Sequence, residues 1–160
     1  MGDAIAICLL KKRGFSEEDF LLLHPSGALG KGILYKVKDL MLVGDKLPIA
    51  NENENFTDVI KLISEKKLGI AILTDKSDTL TGIITDGDIR RILIKYNNVS
   101  GLRAKDVMTQ NPKTISEIEL AAKALHLMEK YSITTLAITD ENKKPVGVLH
   151  VHDLLKAGVA

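Results

Sequence analysis

The sequence predicts an α/β fold made of two pseudo-symmetric β-α-β-β-α units. Residues 37–41 (Val-Lys-Asp-Leu-Met) return as 104–108 (Ala-Lys-Asp-Val-Met), and residues 82–91 return as 147–156, each with Gly first and Asp seventh. The offsets of 67 and 65 residues are nearly equal, which indicates a duplicated unit. A repeat of this length is typical of two small domains packed on each other, and the cleft between them is a natural place for a ligand.

Composition excludes several classes of function. The 22 basic and 21 acidic residues give a net charge of +1, and the chain has no Trp, so we expect no nucleic-acid partner. The longest apolar run is far shorter than the ~20 residues that a membrane-spanning helix needs, so no membrane partner is expected. The single cysteine, Cys8, excludes an internal disulfide and suits a reducing compartment, which favours a cytoplasmic location.

Two short helices and a loop are predicted before the first repeat. Asp3 can cap a helix that runs to about Lys12, and Ser16 can cap a second one. Residues 24–32 contain Pro25 and three Gly, and we expect them to form a loop. This N-terminal segment belongs to neither repeat.

The first repeat contains two predicted helices and three extended segments. Asn55 begins a helix that runs to about Lys66 with its apolar residues on one side. The run 69–74 is apolar and short, as in a buried strand. The other predicted elements are extended segments over 47–50 and 81–85 and a helix from 86 to 94.

The second repeat follows the same plan. Thr114 and Ile115 are predicted to be extended. Ser116, followed three residues later by Glu119, has the pattern of a capping box, so a helix is expected from there to Lys130. The other predicted elements are strands over 135–139 and 146–151 and a final helix capped by Asp153.

Each repeat resembles the cystathionine-β-synthase (CBS) domain, which occurs as tandem pairs. The resemblance covers residues 37 to 160 and implies a tandem pair that often associates face to face, so a homodimer is expected. It is carried by a Lys-Asp-hydrophobic-Met motif in each copy and by the residues Gly82, Thr85, Asp88, Gly147, His150 and Asp153.

Three further segments are similar to D-arabinose-5-phosphate isomerases, namely residues 24–31 (His-Pro-Ser-Gly-Ala-Leu-Gly-Lys), 85–91 and 147–158. These enzymes interconvert ribulose 5-phosphate and arabinose 5-phosphate for Kdo synthesis, which supplies lipopolysaccharide or capsule. A sugar-isomerase (SIS) domain precedes their CBS pair.

The resemblance to these isomerases divides the chain. It implies that residues 1–33 are the end of a SIS domain, 34–98 the first CBS domain and 99–160 the second. Met1 is expected not to be the native start, because residues 2–6 already match the interior of that family. The whole isomerase is expected to be a tetramer.

His24 matches a histidine that the resemblance places in the isomerase active site. Imidazole titrates near neutral pH and can move a proton between C1 and C2 of a sugar. The rest of that site would lie in the missing SIS domain. We therefore expect His24 to be catalytic only in the whole enzyme, and this chain alone to be inactive.

The resemblance also implies ligand-binding residues. In nucleotide-binding CBS pairs, the aspartate of the second motif points at ribose hydroxyls and the preceding Thr or Ser meets phosphate, which here gives Asp88 with Thr85. The second copy gives Asp153 with His150, a departure from Thr or Ser. The alternative is that Asp88 and Asp153 simply cap the helices that they begin.

Other candidates rest on weaker patterns. By the same analogy, Ile49, Thr114 and Ile115 would line the pocket. Arg90 and its neighbour Arg91 could neutralise a phosphate or could form a solvated helix face. His150 and His152 alternate, which on a strand suits metal ligands, but no Cys or further His stands nearby, so neither a metal nor a cofactor is expected.

Two functions follow from the resemblance. The favoured one is regulatory: the pair binds an adenine nucleotide, or alternatively a nucleotide sugar such as CMP-Kdo, and transmits its occupancy to an isomerase domain. The other is purely structural: the pair holds an oligomer together and binds no ligand. Ligand-induced thermal stabilisation separates these functions, because a ligand that binds the native state raises its melting temperature.

Overall fold

The computed structural model describes residues 35–159, so the helices predicted after Asp3 and Ser16, the loop with His24, and Cys8 lie outside the described residues. The helices are α1 Val37–Leu40, α2 Phe56–Lys66, α3 Asp86–Lys95, α4 Ala104–Val107, α5 Ala121–Tyr131 and α6 Val151–Ala157, with a 3-10 turn at Gly44–Lys46. The strands are β1 Ile49–Asn51, β2 Ile70–Thr74, β3 Leu80–Thr85, β4 Thr109–Gln110, β5 Thr114–Ile115, β6 Thr135–Thr139 and β7 Pro145–His150.

The strands form two mixed sheets that share a three-stranded pattern, to which the first sheet adds β4. In the first, the order is β1-β2-β3-β4, with β1 parallel to β2 and the other pairs antiparallel. In the second, β5-β6-β7, β5 is parallel to β6 and β6 is antiparallel to β7. We call residues 49–95 the first half and residues 114–157 the second half. The predicted fold of two pseudo-symmetric α/β units is confirmed.

Each half has its own apolar core under one helix. In the first, Phe56, Val59 and Ile63 of α2 pack on strand residues that include Leu73 and Ile84. Burying a side chain of this size contributes roughly 1.5–3 kcal/mol. The second half repeats the arrangement with Ala121, Ala124, Met128, Leu136, Ile138 and Leu149.

A third apolar cluster joins the two halves. Ile70 and Ile72 of β2 pack with Ala137 of β6 and Val148 of β7. All residues of β2 are buried, because one of its faces covers the core of the first half and the other meets the second half. The strand ends around this cluster therefore face one another across the junction of the halves.

The short helices α1 and α4 are exchanged between the halves. Val37 of α1 lies in the core of the second half, and its amide donates to the carbonyl of Glu119 at 2.9 Å. Ala104 of α4 lies in the core of the first half, and its amide donates to the carbonyl of Glu54 at 2.9 Å. Each Lys-Asp-hydrophobic-Met motif thus belongs in space to the opposite copy of the repeat.

Two predicted helix starts, those of α5 and α6, are wrong, whereas α3 begins at Asp86 as predicted. Ser116 does not cap α5, whose N-cap is Leu120; the intervening residues form a turn because the carbonyls of Glu117 and Glu119 accept hydrogen bonds from α1 instead. The N-caps of α3 and α6 are Thr85 and His150, so the aspartates that follow them lie inside the first turn. Among residues 35–159, every helix is too short to cross a bilayer as an apolar span.

Candidate ligand-binding cleft

A cavity of about 740 Å³ opens where the two halves meet. Its size falls within the range of small-molecule sites, roughly 300–1,000 Å³. The ends of β3 and β7 contribute Thr85 and His150, and the starts of β2 and β6 contribute Gly69 and Thr135. The first turns of α3 and the loop between β4 and β5 complete the wall. The cleft therefore has equivalent strand ends from both repeats. Its other two wall segments, the start of α3 and the β4–β5 loop, have no counterpart from the second repeat in the wall.

The start of α3 is fixed by a reciprocal pair of hydrogen bonds. The Oγ1 of Thr85 accepts from the amide of Asp88 at 3.3 Å, and the Oδ2 of Asp88 accepts from the amide of Thr85 at 2.9 Å. This capping box satisfies backbone donors that a helix start otherwise leaves unpaired. This capping box can form because Thr85 ends β3 and the acidic side chain of Asp88 follows three residues later.

The Asp88 carboxylate has further partners. Its Oδ2 also accepts from the Thr85 hydroxyl at 2.7 Å, and its Oδ1 accepts from Nη2 of Arg91 at 2.6 Å. A longer contact of 3.5 Å joins Oδ1 to the Thr109 hydroxyl of β4. Burial by itself would raise the pKa of Asp88, but the hydrogen bonds from Thr85 and Arg91 outweigh it and lower the pKa below its ordinary value.

The second half caps its helix differently. The Nδ1 of His150 accepts a hydrogen bond from the amide of His152 at 3.1 Å, so an imidazole takes the capping role that a hydroxyl has in the first half. His152 lies in α6 and not on a strand, so the two histidines do not share a strand face. The side chain of Asp153, in the first turn of α6, makes no hydrogen bond to another residue within 35–159.

The wall of the cleft is strongly basic. Four basic side chains line it, from Lys67, Arg90, Arg91 and Lys113, and Asp86 is the one carboxylate in the wall, although Arg91 is also paired with Asp88 behind it. The Nζ of Lys113 also lies 4.7 Å from the centre of the Tyr131 ring, a cation–π distance that holds this chain beside the cleft. Such a charge pattern favours an anionic ligand.

Sequence reasoning missed two of these cations. Lys67 follows a lysine at the end of a predicted helix, where charged residues usually face solvent, and Lys113 lies in a loop without a motif. The left-handed backbone of Lys67, with φ of 57°, turns the chain from α2 into β2 beside the cleft. Only the exchange of the segment after α4 brings Lys113 to the same place, and no local pattern signals that exchange.

The predicted site residues fall into three groups. Thr85, Arg90 and His150 line the cleft. Asp88 lies directly behind it. The remaining four lie elsewhere: Ile115 is buried in the core of the second half, Thr114 is beside it on β5, Ile49 is 40% exposed on β1, and Asp153 is in the first turn of α6.

Within residues 35–159, no three His, Cys, Asp or Glu side chains come together as metal ligands would. The buried polar side-chain atoms of this part of the chain all have hydrogen-bond partners. The wall of the cleft offers hydroxyl, imidazole, amide, carboxylate, ammonium and guanidinium groups for hydrogen bonding and charge.

Comparison with known proteins matches both repeats. A family model described as the CBS domain matches residues 37–95 and 104–160. The arabinose 5-phosphate isomerase KdsD of Francisella tularensis is 44% identical over 156 residues, covering 98% of this chain and 47% of that protein. KdsD of Pseudomonas aeruginosa is 44% identical over 159 residues, covering 99% of this chain and 49% of that protein. The chain thus spans about half the length of these relatives.

Solved structures share the architecture. The CBS domain pair of protein MJ0100, in complex with 5′-methylthioadenosine and S-adenosyl-L-methionine, has a TM-score of 0.67 at 26% identity, covering 76% of this chain and 98% of that one. CBSX2 in complex with AMP has a TM-score of 0.68 at 22% identity, covering 78% of this chain and 96% of that one. The second likeness shows the fold alone. Both confirm the tandem arrangement of the two halves.

Proposed function

The chain belongs to the CBS-domain family, and we propose that its cleft is a regulatory site for a phosphate-bearing nucleotide. The observation that carries this proposal is the net positive charge around a cavity of about 740 Å³, whose wall has four cations and one carboxylate, with Arg91 also paired to Asp88 behind the wall. Phosphate groups are bound by such cations and by exposed amides at a helix start. Thr85, Arg90 and His150 are the predicted residues in position to contact the ligand.

An adenine nucleotide is the first candidate ligand. The related pair of MJ0100 holds two adenosine derivatives, methylthioadenosine and S-adenosyl-L-methionine. Neither carries a phosphate, whereas the cations of this cleft favour one, which makes AMP or ATP the better match to the wall. A nucleotide sugar such as CMP-Kdo is the alternative, since its phosphate and carboxylate would also meet these cations.

The regulated activity is proposed to be arabinose-5-phosphate isomerisation. The relatives named KdsD are about twice as long as this chain and are named for that reaction. We propose the division into a SIS remnant over 1–33 and CBS domains over 34–98 and 99–160, with His24 catalytic only beside a complete SIS domain. Regulation then requires that the ligand bind two states of the whole enzyme with different affinity.

A structural role is the second candidate function, and one observation favours it. Ile94 of α3 is 86% exposed, and Leu93 and Leu155 are also large apolar side chains at the surface. Exposed apolar residues on two helices are typical of a surface that another chain covers. We propose that this face forms a homodimer, which in a whole isomerase would support a tetramer, with or without a ligand in the cleft.

A thermal-shift screen of the chain tests the regulatory proposal. AMP, ATP, CMP, CMP-Kdo and arabinose 5-phosphate are added separately, and a ligand that binds the native state must raise the melting temperature. Arg90→Ala is expected to reduce the shift, whereas Lys105→Ala removes one exposed positive charge outside the cleft and is expected to leave it unchanged. No shift with any compound would leave the structural role as the better account.

A further inference from the structure

The residues that precede the repeats enter the described part of the chain through the second half. Residues 35–42, which contain α1, come before the first half in the sequence, yet five backbone hydrogen bonds of 2.8 to 3.0 Å attach them to the second half. These bonds join Tyr35 to Ala121, Val37 to Glu119, Lys38 to Glu117, and Leu42 twice to Val148. We infer that the second half, and not the first, transmits occupancy of the cleft to residues 1–34.

Strand β7 joins this attachment to the cleft. Its last residue, His150, lines the cavity, and Val148 lies two residues earlier in the same strand. The amide of Leu42 donates to the carbonyl of Val148 at 2.8 Å, and the amide of Val148 donates back at 3.0 Å. Leu42 thus extends the second sheet beyond β7 as an antiparallel bridge. A ligand that restrains the end of β7 therefore restrains the strand that holds Leu42.

Side-chain packing makes the same connection. Val37 is fully buried in the core of the second half. Met41 packs on Gly147 of β7. Leu42 packs on the apolar cluster that joins the two halves, beside Val148. Residues 35–42 therefore contact both the core under β7 and the junction where the cleft opens, so their attachment depends on how firmly β7 is held.

The equivalent segment of the second copy leads nowhere outside the pair. Residues 103–110, which contain α4, are attached to the first half in the same way: the amide of Ala104 donates to Glu54, and Met108 packs on Gly82 of β3. This segment connects α3 to β5, so both of its ends lie within the two halves. The two attachments are equivalent in structure, but residues 1–34 continue only from the one on β7.

The inference rests on the proposed nucleotide site and has a measurable form. A ligand that stabilises the attachment of residues 35–42 lowers the frequency with which their hydrogen bonds open. Coupling between two sites typically changes an equilibrium about 5- to 150-fold. The amide hydrogens of Val37 and Leu42 report this opening directly, because both donate to the second half.

Hydrogen exchange followed by nuclear magnetic resonance tests the inference on the full chain. Exchange of the Val37 and Leu42 amides is measured without AMP and with saturating AMP, and AMP is expected to slow both about fivefold or more. The amide of Asp78 is the reference, because it donates to Asp75 in the turn between β2 and β3, at the opposite end of these strands from the cleft. Its exchange is expected to change less than twofold, on the order of experimental scatter.

Matched substitutions on the two halves separate their roles. Gly147→Val places a side chain where Met41 packs, and Gly82→Val makes the same change on β3, where Met108 packs. Each variant is measured at an AMP concentration that saturates it. We expect Gly147→Val to lose the AMP-dependent slowing of Val37 exchange and Gly82→Val to keep it. If Gly147→Val does not fold, Gly147→Ala makes the same comparison with Gly82→Ala.

The possible results distinguish the inference from the site on which it rests. Calorimetry first establishes whether the unsubstituted chain binds AMP. If it binds AMP but exchange of Val37 and Leu42 is unchanged, or slows only as much as that of Asp78, the inference is overturned and the site stands. Slowing that is lost in Gly82→Val and kept in Gly147→Val would also overturn it. Absence of AMP binding would overturn the cleft as an AMP site, and the inference with it.

Discussion

The sulfur of Met108 lies 2.5 Å from the position that a Cβ would occupy at Gly82. The same relationship recurs at Gly147, where the sulfur of Met41 lies 2.5 Å from that position. The two motifs that repeat in the sequence therefore touch each other, but crosswise. The methionine of each Lys-Asp-hydrophobic-Met motif packs on the glycine that begins the second motif of the other copy.

We predict that Gly82→Ala destabilises the fold. An added methyl group would overlap Met108 and the carbonyl oxygen of Thr109, which is 2.9 Å from the same point, and a backbone atom cannot move aside easily. Overpacking of this kind costs typically 1–3 kcal/mol in the free energy of unfolding, measurable by urea denaturation. Gly101→Ala is the control, since nothing lies within 4 Å of its added Cβ. Equal stability of the two variants would contradict this account of the repeated motifs.

The N-cap at Thr85 predicts a second stability effect. Thr85→Ala removes the hydroxyl that accepts from the Asp88 amide and donates to its carboxylate, and N-cap loss typically costs about 0.5–2 kcal/mol. Thr85→Ser keeps the hydroxyl and is expected to retain most of the stability. Chemical denaturation of both variants measures the difference. A Ser variant as unstable as the Ala variant would mean that the methyl group, and not the cap, matters.

The pKa of Asp88 predicts how stability changes with pH. Burial opposes ionisation, but the partners of the carboxylate lower its pKa in the folded chain below the ordinary value of 3.8. Asp88 therefore adds stability at pH values above 3.8, and this contribution is lost as the pH falls through the lower pKa of the folded state. We expect Asp88→Asn to be less stable than the unsubstituted chain at pH 7, with the gap closing in strong acid. If the difference in unfolding free energy between the two chains is the same at low pH as at pH 7, Asp88 is not stabilised in its ionised form.

The apolar face of α3 predicts a change in oligomeric state. Ile94 is 86% exposed, so Ile94→Lys is not expected to alter the fold, but it would place a charge in the proposed dimer contact. Light scattering after size exclusion should show a smaller assembly for this variant. Ile118→Lys is the control, because Ile118 is also largely exposed but lies outside α3 and α6. If both variants assemble as the unsubstituted chain does, α3 is not the contact.

Local sequence patterns predicted helices and strands well where the spacing of apolar residues matched the side chains that are buried in the structure. The strand over 135–139 and the helix ending at Lys66 have the predicted bounds, because short apolar runs between polar turns have few alternatives. Ser116 misled because its capping pattern competes with hydrogen bonds from α1, about 80 residues earlier in the chain. A competition between distant segments leaves no trace in a local pattern.

The site was predictable only where its residues belong to a repeated sequence motif. Thr85 and His150 end the equivalent strands β3 and β7, which meet at the junction of the halves, and Arg90 follows Thr85 in α3. Lys67 and Lys113 are ordinary lysines in sequence and enter the cleft through a left-handed turn and an exchanged segment. Asp88 was identified by its motif, but its partners are visible only once the turns of α3 place Arg91 beside it.

Nuclear magnetic resonance of the amide groups during titration with AMP tests the central claim most directly. The account predicts that the resonances of Gly69, Thr85 and Thr134, which lie at strand ends around the cleft, shift together and saturate at one concentration. Those of the exposed face of α2, such as Lys61, should remain in place. Shifts that are absent, or that centre on the outer faces of the helices, would contradict a nucleotide site between the two halves.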